Sequence, residues 1–118
     1  MGIISSIGKK IFTVIPFETF ETNHFISFES IGVNQLREHK KELKVTWSQY
    51  SDKIVMTIEG NSLSFRVKAI KQESSGSFWE LRVQPDDDIK TGVHLIQFDT
   101  YEKKVILFTT KSTDSYLA

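Results

Sequence analysis

The sequence predicts a mainly β domain of the α+β class: an antiparallel meander of about six strands, curled into a half-barrel or sandwich, with one short helix and an N-terminal covering segment. Two observations support this prediction. Apolar and polar side chains alternate over several short segments that are separated by turn signals, as in half-buried strands. The chain of 118 residues also suits one packed core.

The strongest local signal is the dipeptide Gly60-Asn61, which suits a two-residue hairpin turn because both residue types tolerate positive φ. A turn at these two positions predicts one apolar face and one mostly polar face. The predicted apolar partners are Ile58 with Leu63, Met56 with Phe65, and Ile54 with Val67.

Further strands flank this hairpin. Upstream, Leu43, Val45 and Trp47 alternate with polar residues, and Ser51-Asp52 predicts a turn into a strand that starts near Lys53. Downstream, Trp79, Leu81 and Val83 alternate in the same way before Pro85 ends the strand.

The last predicted hairpin joins 93–98 to 104–110 through a loop over 100–103, with Phe98 opposite Val105. In this register Ile96 meets Leu107 on one face and Leu95 meets Phe108 on the other. Apolar residues on both faces are typical of strands covered on both sides. The N-terminal region and the helix are therefore expected to cover this hairpin.

Residues 33–43 are predicted to form the helix, because the segment is rich in Leu, Arg, Glu and Lys and carries a narrow apolar stripe. The aromatic, Thr-rich segment from Phe17 to Phe28 reads as an extended strand that bends near Asn23. The domain is expected to span 1–111, and 112–118 to form a loose C-terminal tail.

Composition excludes several classes of protein. Fifteen basic and fifteen acidic residues give a formal net charge of zero, so no long-range field attracts nucleic acid or anionic lipid. The absence of Cys removes disulfide scaffolds and thiol chemistry and fits the cytoplasm. His24, His39 and His94 lack metal-ligand spacing, so neither a metal nor another cofactor is expected.

Two features are candidate protein-binding surfaces. The first is aromatic and comprises Phe17, Phe20 and Phe25. The second is the acidic loop of Asp86, Asp87 and Asp88, whose spacing does not match a calcium loop but suits contact with a basic partner.

A basic strip is the candidate nucleic-acid interface. Lys44, Arg66, Lys68 and Arg82 are predicted to project from one sheet face, where they could follow a phosphate backbone. Glu80 is expected opposite Arg66 or Lys68 on that face, which equally describes ordinary cross-strand charge pairing.

Residues 1–15 suggest a third type of contact, with a membrane surface. The stretch is amphipathic when read as a helix, and Gly2 with Ser6 matches the N-myristoylation pattern. The alternative is that this stretch packs on the open face of the sheet. A small-ligand or catalytic cleft that uses His94, Asp99 or Arg82 is also compatible with the sequence, since such clefts leave no linear motif.

No nucleophile elbow, phosphate loop or paired-carboxylate motif is present, so the sequence assigns no catalytic residue. The leading interpretation is a non-catalytic module of the small inhibitor, immunity or adaptor type. It would dock an unidentified protein through a sheet edge, the aromatic segment or the acidic loop. Nucleic-acid binding and membrane association are the alternatives, and the sequence predicts no oligomeric state.

Overall fold

The computed structural model describes residues 19–72, 76–85 and 92–118, and within these ranges every regular element is a β-strand. The strands in chain order are β1 (Phe20–Gly32), β2 (Gln35–Tyr50), β3 (Lys53–Ile58), β4 (Asn61–Gln72), β5 (Phe78–Pro85), β6 (Leu95–Asp99), β7 (Lys104–Phe108) and β8 (Ser112–Leu117).

These strands form one closed antiparallel barrel in which each strand pairs with its neighbours in sequence and β1 pairs with β8. The predicted antiparallel, mainly β character is therefore confirmed, whereas the α+β assignment is not. The prediction of about six strands in a half-barrel or sandwich is wrong, because eight strands close into one barrel.

The helix predicted over 33–43 is also wrong. Val33 and Asn34 form a tight turn, and the rest of that segment belongs to β2. Each of its residues from Gln35 to Glu42 lies opposite a residue of β1. Cross-strand pairing therefore overrides the helix propensity of Leu, Arg, Glu and Lys, which amounts to roughly a few tenths of a kcal/mol per residue.

The C-terminal segment, predicted to be a loose tail over 112–118, forms β8 instead. Tyr116 is buried opposite Val105 on one side and Phe25 on the other. The strand thus completes the barrel by joining β7 to β1.

The β3–β4 hairpin differs from the prediction by two residues. Ile58 lies opposite Asn61, so the turn residues are Glu59 and Gly60, with φ of 51° and 83°. Two successive positive φ values are the mark of a type I′ turn. A shift of two residues keeps every side chain on its predicted face, so the hairpin retains its apolar face. The residue opposite each β3 position nevertheless differs from the predicted one.

The predicted Ser51-Asp52 turn and the predicted register of the last hairpin are confirmed. Ser51, with φ of 58°, stands between β2 and β3, and Phe98 lies opposite Val105 in β6 and β7. β1 shows a register shift between Thr22 and His24, where the sequence predicts a bend.

Large side chains fill the barrel. The Trp47 ring stands edge-on to Phe98, with centroids 6.0 Å apart, and to Tyr116, at 5.2 Å. Eight strands enclose a space just wide enough for side chains or one small ligand. Here side chains occupy it; those fully buried are Trp47, Phe65, Phe98, Ile54, Leu81, Ile96, Val45, Val105 and Thr22.

Candidate functional site

The β1–β2 hairpin is much longer than the barrel needs. β2 pairs with β1 along nearly its whole length, but with β3 only from Thr46 onward. Residues 28–44 therefore form an arm that extends past the β3–β4 turn. Between 36 and 44, no other described strand pairs with β2 on the side away from β1, and we call this side the free edge.

The arm carries most of the exposed large apolar side chains. Phe28, Ile31, Val33 and Leu36 lie there, and Val33 at the turn is 90% exposed. Elsewhere in the described residues only Tyr50 and Tyr101 belong to this class. A cluster of exposed apolar residues on a small protein marks an interaction surface more strongly than scattered ones do.

The direction of the backbone groups on β2 follows from one hydrogen bond. The backbone amide of Ser30 donates to the carbonyl oxygen of Lys111 at 2.8 Å. This amide therefore points away from Leu36, the residue opposite Ser30 on β2. Antiparallel strands alternate between bonded and non-bonded pairs. The amides and carbonyls of Leu36, Glu38, Lys40 and Glu42 therefore point out from the free edge.

The two faces of the arm differ in charge. On the face that continues the barrel interior, Arg37 and His39 share one carboxylate, Glu29, at 3.9 and 3.7 Å. Lys41 on that face stands over the Phe25 ring, 5.8 Å from its centroid. Three basic side chains thus face one carboxylate within the arm, and the face is basic.

On the outer face acidic and basic residues alternate along β2. The Glu38 carboxylate lies 3.6 Å from the Lys40 ammonium, and Glu42 Oε2 lies 3.0 Å from His24 Nδ1. Within the arm, the inner face of β2 therefore carries the excess of basic residues.

A groove of about 360 Å³ opens where β2 leaves β3. Its charged residues are three glutamates, Glu21, Glu42 and Glu59, and one lysine, Lys44. Lys44 is 3.4 Å from Glu21, so the groove retains an excess of carboxylates. The other lining residues are Leu43, Thr46, Thr57 and Gly60.

Three of the four residues of the basic strip come together. Arg66 lies opposite Gln84 and Arg82 opposite Ala69, with Lys68 at the register shift between them, so all three lie on the outer face of β4 and β5. Lys44 lies on β2, separated from β4 by β3. Glu80 is opposite Lys71 rather than Arg66 or Lys68, and Arg66 donates to Asp52 at 3.0 Å.

The aromatic candidates occupy packing positions. Phe20 is buried edge-on against Phe98, and Phe25 is half-buried with its centroid 5.1 Å from that of Tyr116. Phe17 and the acidic loop of Asp86, Asp87 and Asp88 lie outside the described residues, as does the segment 1–15.

Of the residues suggested for a cleft, Arg82 lies opposite Leu95, next to His94, but Asp99 is not near them. His94 and Asp99 lie at opposite ends of β6, and His94 is exposed. Asp99 Oδ1 accepts from the amides of Tyr101 and Glu102, both at 3.0 Å, which is a turn-forming role. In the described ranges, no three His, Cys, Asp or Glu residues gather in a way that suits a metal ion.

Among the described residues, Tyr116 has a hydroxyl whose pKa departs clearly from its ordinary value. Burial raises the pKa of its hydroxyl above the ordinary value of 10, and the nearby Asp114 carboxylate raises it further. Asp114 in turn accepts from Ser27 Oγ at 2.6 Å. The phenol is thus held neutral within the core, which suits packing rather than proton transfer.

The arm was not predicted as a strand, although its alternating pattern was visible. Positions 38, 40, 42 and 44 alternate in charge as Glu, Lys, Glu, Lys, and 37, 39 and 41 are all basic. A two-residue period of this kind is typical of a strand with two different faces.

None of the described residues forms a helix with the length and apolar character needed to cross a membrane. Comparison with known proteins adds no relative to this description: no protein-family model, curated protein or solved structure matches the chain.

Proposed function

We propose that this chain is a non-catalytic protein-binding module whose contact element is the arm. The observation that carries the proposal is the position of the exposed apolar side chains: four of the six among the described residues lie between Phe28 and Leu36. An inhibitor, immunity or adaptor protein uses such a projecting element to reach into a partner while a rigid body holds it in place.

The rest of the barrel supports the same proposal. Aromatic rings occupy its centre, so the interior serves stability rather than ligand storage. The free edge adds a second means of contact, since a strand edge that no other described strand covers is able to bind another strand. The arm therefore combines apolar area with available backbone groups.

Site-specific photo-crosslinking tests this function. Benzoylphenylalanine replaces Val33 in one variant and Tyr101 in the control, because the two side chains are 90% and 84% exposed but lie at opposite ends of the barrel. In lysate of the source organism, we expect a discrete crosslinked protein from position 33 alone, and we expect Leu36→Asp to suppress it. Equal products from position 101, or none from position 33, would contradict the proposal.

A second candidate is single-stranded nucleic-acid binding on the outer face of β4 and β5. The gathering of Arg66, Lys68 and Arg82 favours it, with Lys71 on the same face. The double variant Lys68→Glu/Arg82→Glu should weaken binding of a labelled oligonucleotide at least about tenfold at low salt. The charge-matched control Lys103→Glu/Lys111→Glu should not; equal losses in both variants would remove this candidate.

A further inference from the structure

The free edge offers backbone groups over a length that suits one added strand. From 36 to 44 it measures about 27 Å, and then β3 occupies the neighbouring position opposite Thr46. Lys40 and Glu42 have outward-pointing backbone groups, whereas His39 and Lys41 bond to β1. A peptide that adds to this edge gains main-chain hydrogen bonds without disturbing the barrel.

The basic inner face sets the chemistry of the added strand. When a strand adds antiparallel to the free edge, Arg37, His39 and Lys41 each form a non-hydrogen-bonded pair with the residue opposite. Side chains approach most closely in pairs of this kind. Within the arm only Glu29 opposes these three basic residues. Asp114, on β8, lies beyond β1 and is already bonded by Ser27. Carboxylates at every second position of the incoming strand would complete this charge balance.

The groove sets the direction. A strand antiparallel to β2 begins beside Lys44 and ends near Leu36, so its first residue lies in the groove lined by Glu21, Glu42 and Glu59. A cationic first residue fits that excess of carboxylates. The two ends of the free edge therefore differ in charge and favour one orientation.

A second copy of this chain is a poor occupant. Only the even-numbered residues of the free edge point their amides and carbonyls outward. When two free edges pair antiparallel, even-numbered residues therefore bond to even-numbered ones, and odd-numbered residues lie opposite odd-numbered ones. Every overlapping register then brings the basic residues at 37, 39 and 41 of both copies onto one face, and like charges on adjacent strands are destabilising.

We infer that the free edge binds an extended segment of another protein as an added antiparallel strand. The segment starts with a basic residue in the groove and carries Asp or Glu at alternating positions that face Arg37, His39 and Lys41. This inference rests on the proposed protein-binding function and names the partner motif.

A synthetic nonapeptide tests the motif directly. It has arginine first, glutamate at the fourth, sixth and eighth positions, and valine or threonine elsewhere, so that its glutamates face Lys41, His39 and Arg37. Fluorescence anisotropy at low salt should show saturable binding. We expect at least tenfold weaker binding of the reversed sequence, of a lysine-for-glutamate version and of a version N-methylated at its odd-numbered residues, whose amides face β2.

Two variants of the protein separate strand addition from charge attraction. Lys40→Pro removes an outward-pointing amide that bonds to no described residue, and an edge strand tolerates proline at such a position. Lys40→Ala removes the same ammonium but keeps the amide. We expect at least a tenfold loss of peptide binding in the first and less than a threefold loss in the second. The N-methylated peptide answers the same question if Lys40→Pro does not fold by circular dichroism.

Three results would overturn the inference: no binding of the glutamate peptide, equal binding of the lysine or reversed peptide, or equal binding by Lys40→Pro and Lys40→Ala. If these results occur while the crosslink at position 33 persists, the partner contacts the apolar tip without adding a strand. In that case the proposed function stands and the inference fails.

Discussion

Trp47 Nε1 donates to Thr22 Oγ1 at 3.0 Å inside the barrel, and both side chains are fully buried. Thr22→Val keeps the shape of the residue but leaves the indole N–H without its acceptor. We expect a loss of about 1–3 kcal/mol in the free energy of unfolding. Urea denaturation measures it, and Thr22→Ser, which keeps the hydroxyl, is the control. Equal stability of Thr22→Val and the parent would show that the bond contributes nothing.

The turn at Glu59 and Gly60 makes opposite predictions for two neighbouring substitutions. Glu59 adopts φ of 51°, which asparagine tolerates better, so Glu59→Asn should stabilise the protein by about 0.5–1 kcal/mol. Asn61 begins β4, so Asn61→Gly should destabilise it by about 0.5–1 kcal/mol. A turn at Gly60-Asn61 would instead make Asn61→Gly favourable, and the sign measured by thermal unfolding distinguishes the two registers.

Asp99 organises the β6–β7 turn by accepting from two backbone amides. Asp99→Ala removes both hydrogen bonds and should lower the free energy of unfolding by about 1–2 kcal/mol. Asp99→Asn keeps an acceptor oxygen and should lose less. Chemical denaturation of the three proteins at one pH gives the comparison, and an alanine variant as stable as the asparagine variant would contradict this role.

The raised pKa of Tyr116 predicts a loss of stability in alkali. The unfolded chain releases this proton near pH 10, whereas the folded protein retains it, so the unfolded state binds fewer protons above that pH. The free energy of unfolding should therefore fall as pH rises above 10, by up to about 1.4 kcal/mol per pH unit from this group. Denaturation at several pH values checks the slope.

Tyr116→Phe provides the control for that measurement, because it removes this hydroxyl and keeps every Lys and the other Tyr residues. The difference in slope between the two proteins therefore comes from Tyr116. The slope of the variant above pH 10 should be shallower than that of the parent protein. Identical slopes would mean that the Tyr116 hydroxyl titrates alike in the folded and unfolded states.

Prediction from the sequence works best where turn chemistry and side-chain alternation act together. In the β6–β7 hairpin, Phe98 lies opposite Val105 as expected. In the β3–β4 hairpin the same reasoning misses by two residues, because alternation has a period of two and does not detect that shift. Gly60 is rightly placed in the turn, but Glu59 accompanies it instead of Asn61.

The arm and the last strand are beyond prediction for a different reason. β2 from Gln35 to Lys44 has good helix formers, and only its pairing with β1 makes it extended. β8 has few apolar residues besides Tyr116, and its position depends on two strands, of which β1 is distant in sequence. The basic strip was partly predicted, since alternation places Arg66 and Arg82 on one side of the sheet. The sequence does not show that Lys44 lies apart from these two residues, because side-chain alternation indicates a face of the sheet but not which strands are neighbours.

The pairing of β1 with β8 also determines when the protein is able to fold. Ser27 and Asp114 are 87 positions apart in the chain, and their hydrogen bond forms only after nearly the whole domain has been synthesised. Until then, β1 and β7 each have an edge without its final partner, which exposes a nascent chain to aggregation. Closing so long a loop also slows folding, because the chain loses conformational entropy before the strand pairing that offsets this loss has formed. Barrel closure therefore waits for β8, the last of the described strands to be synthesised.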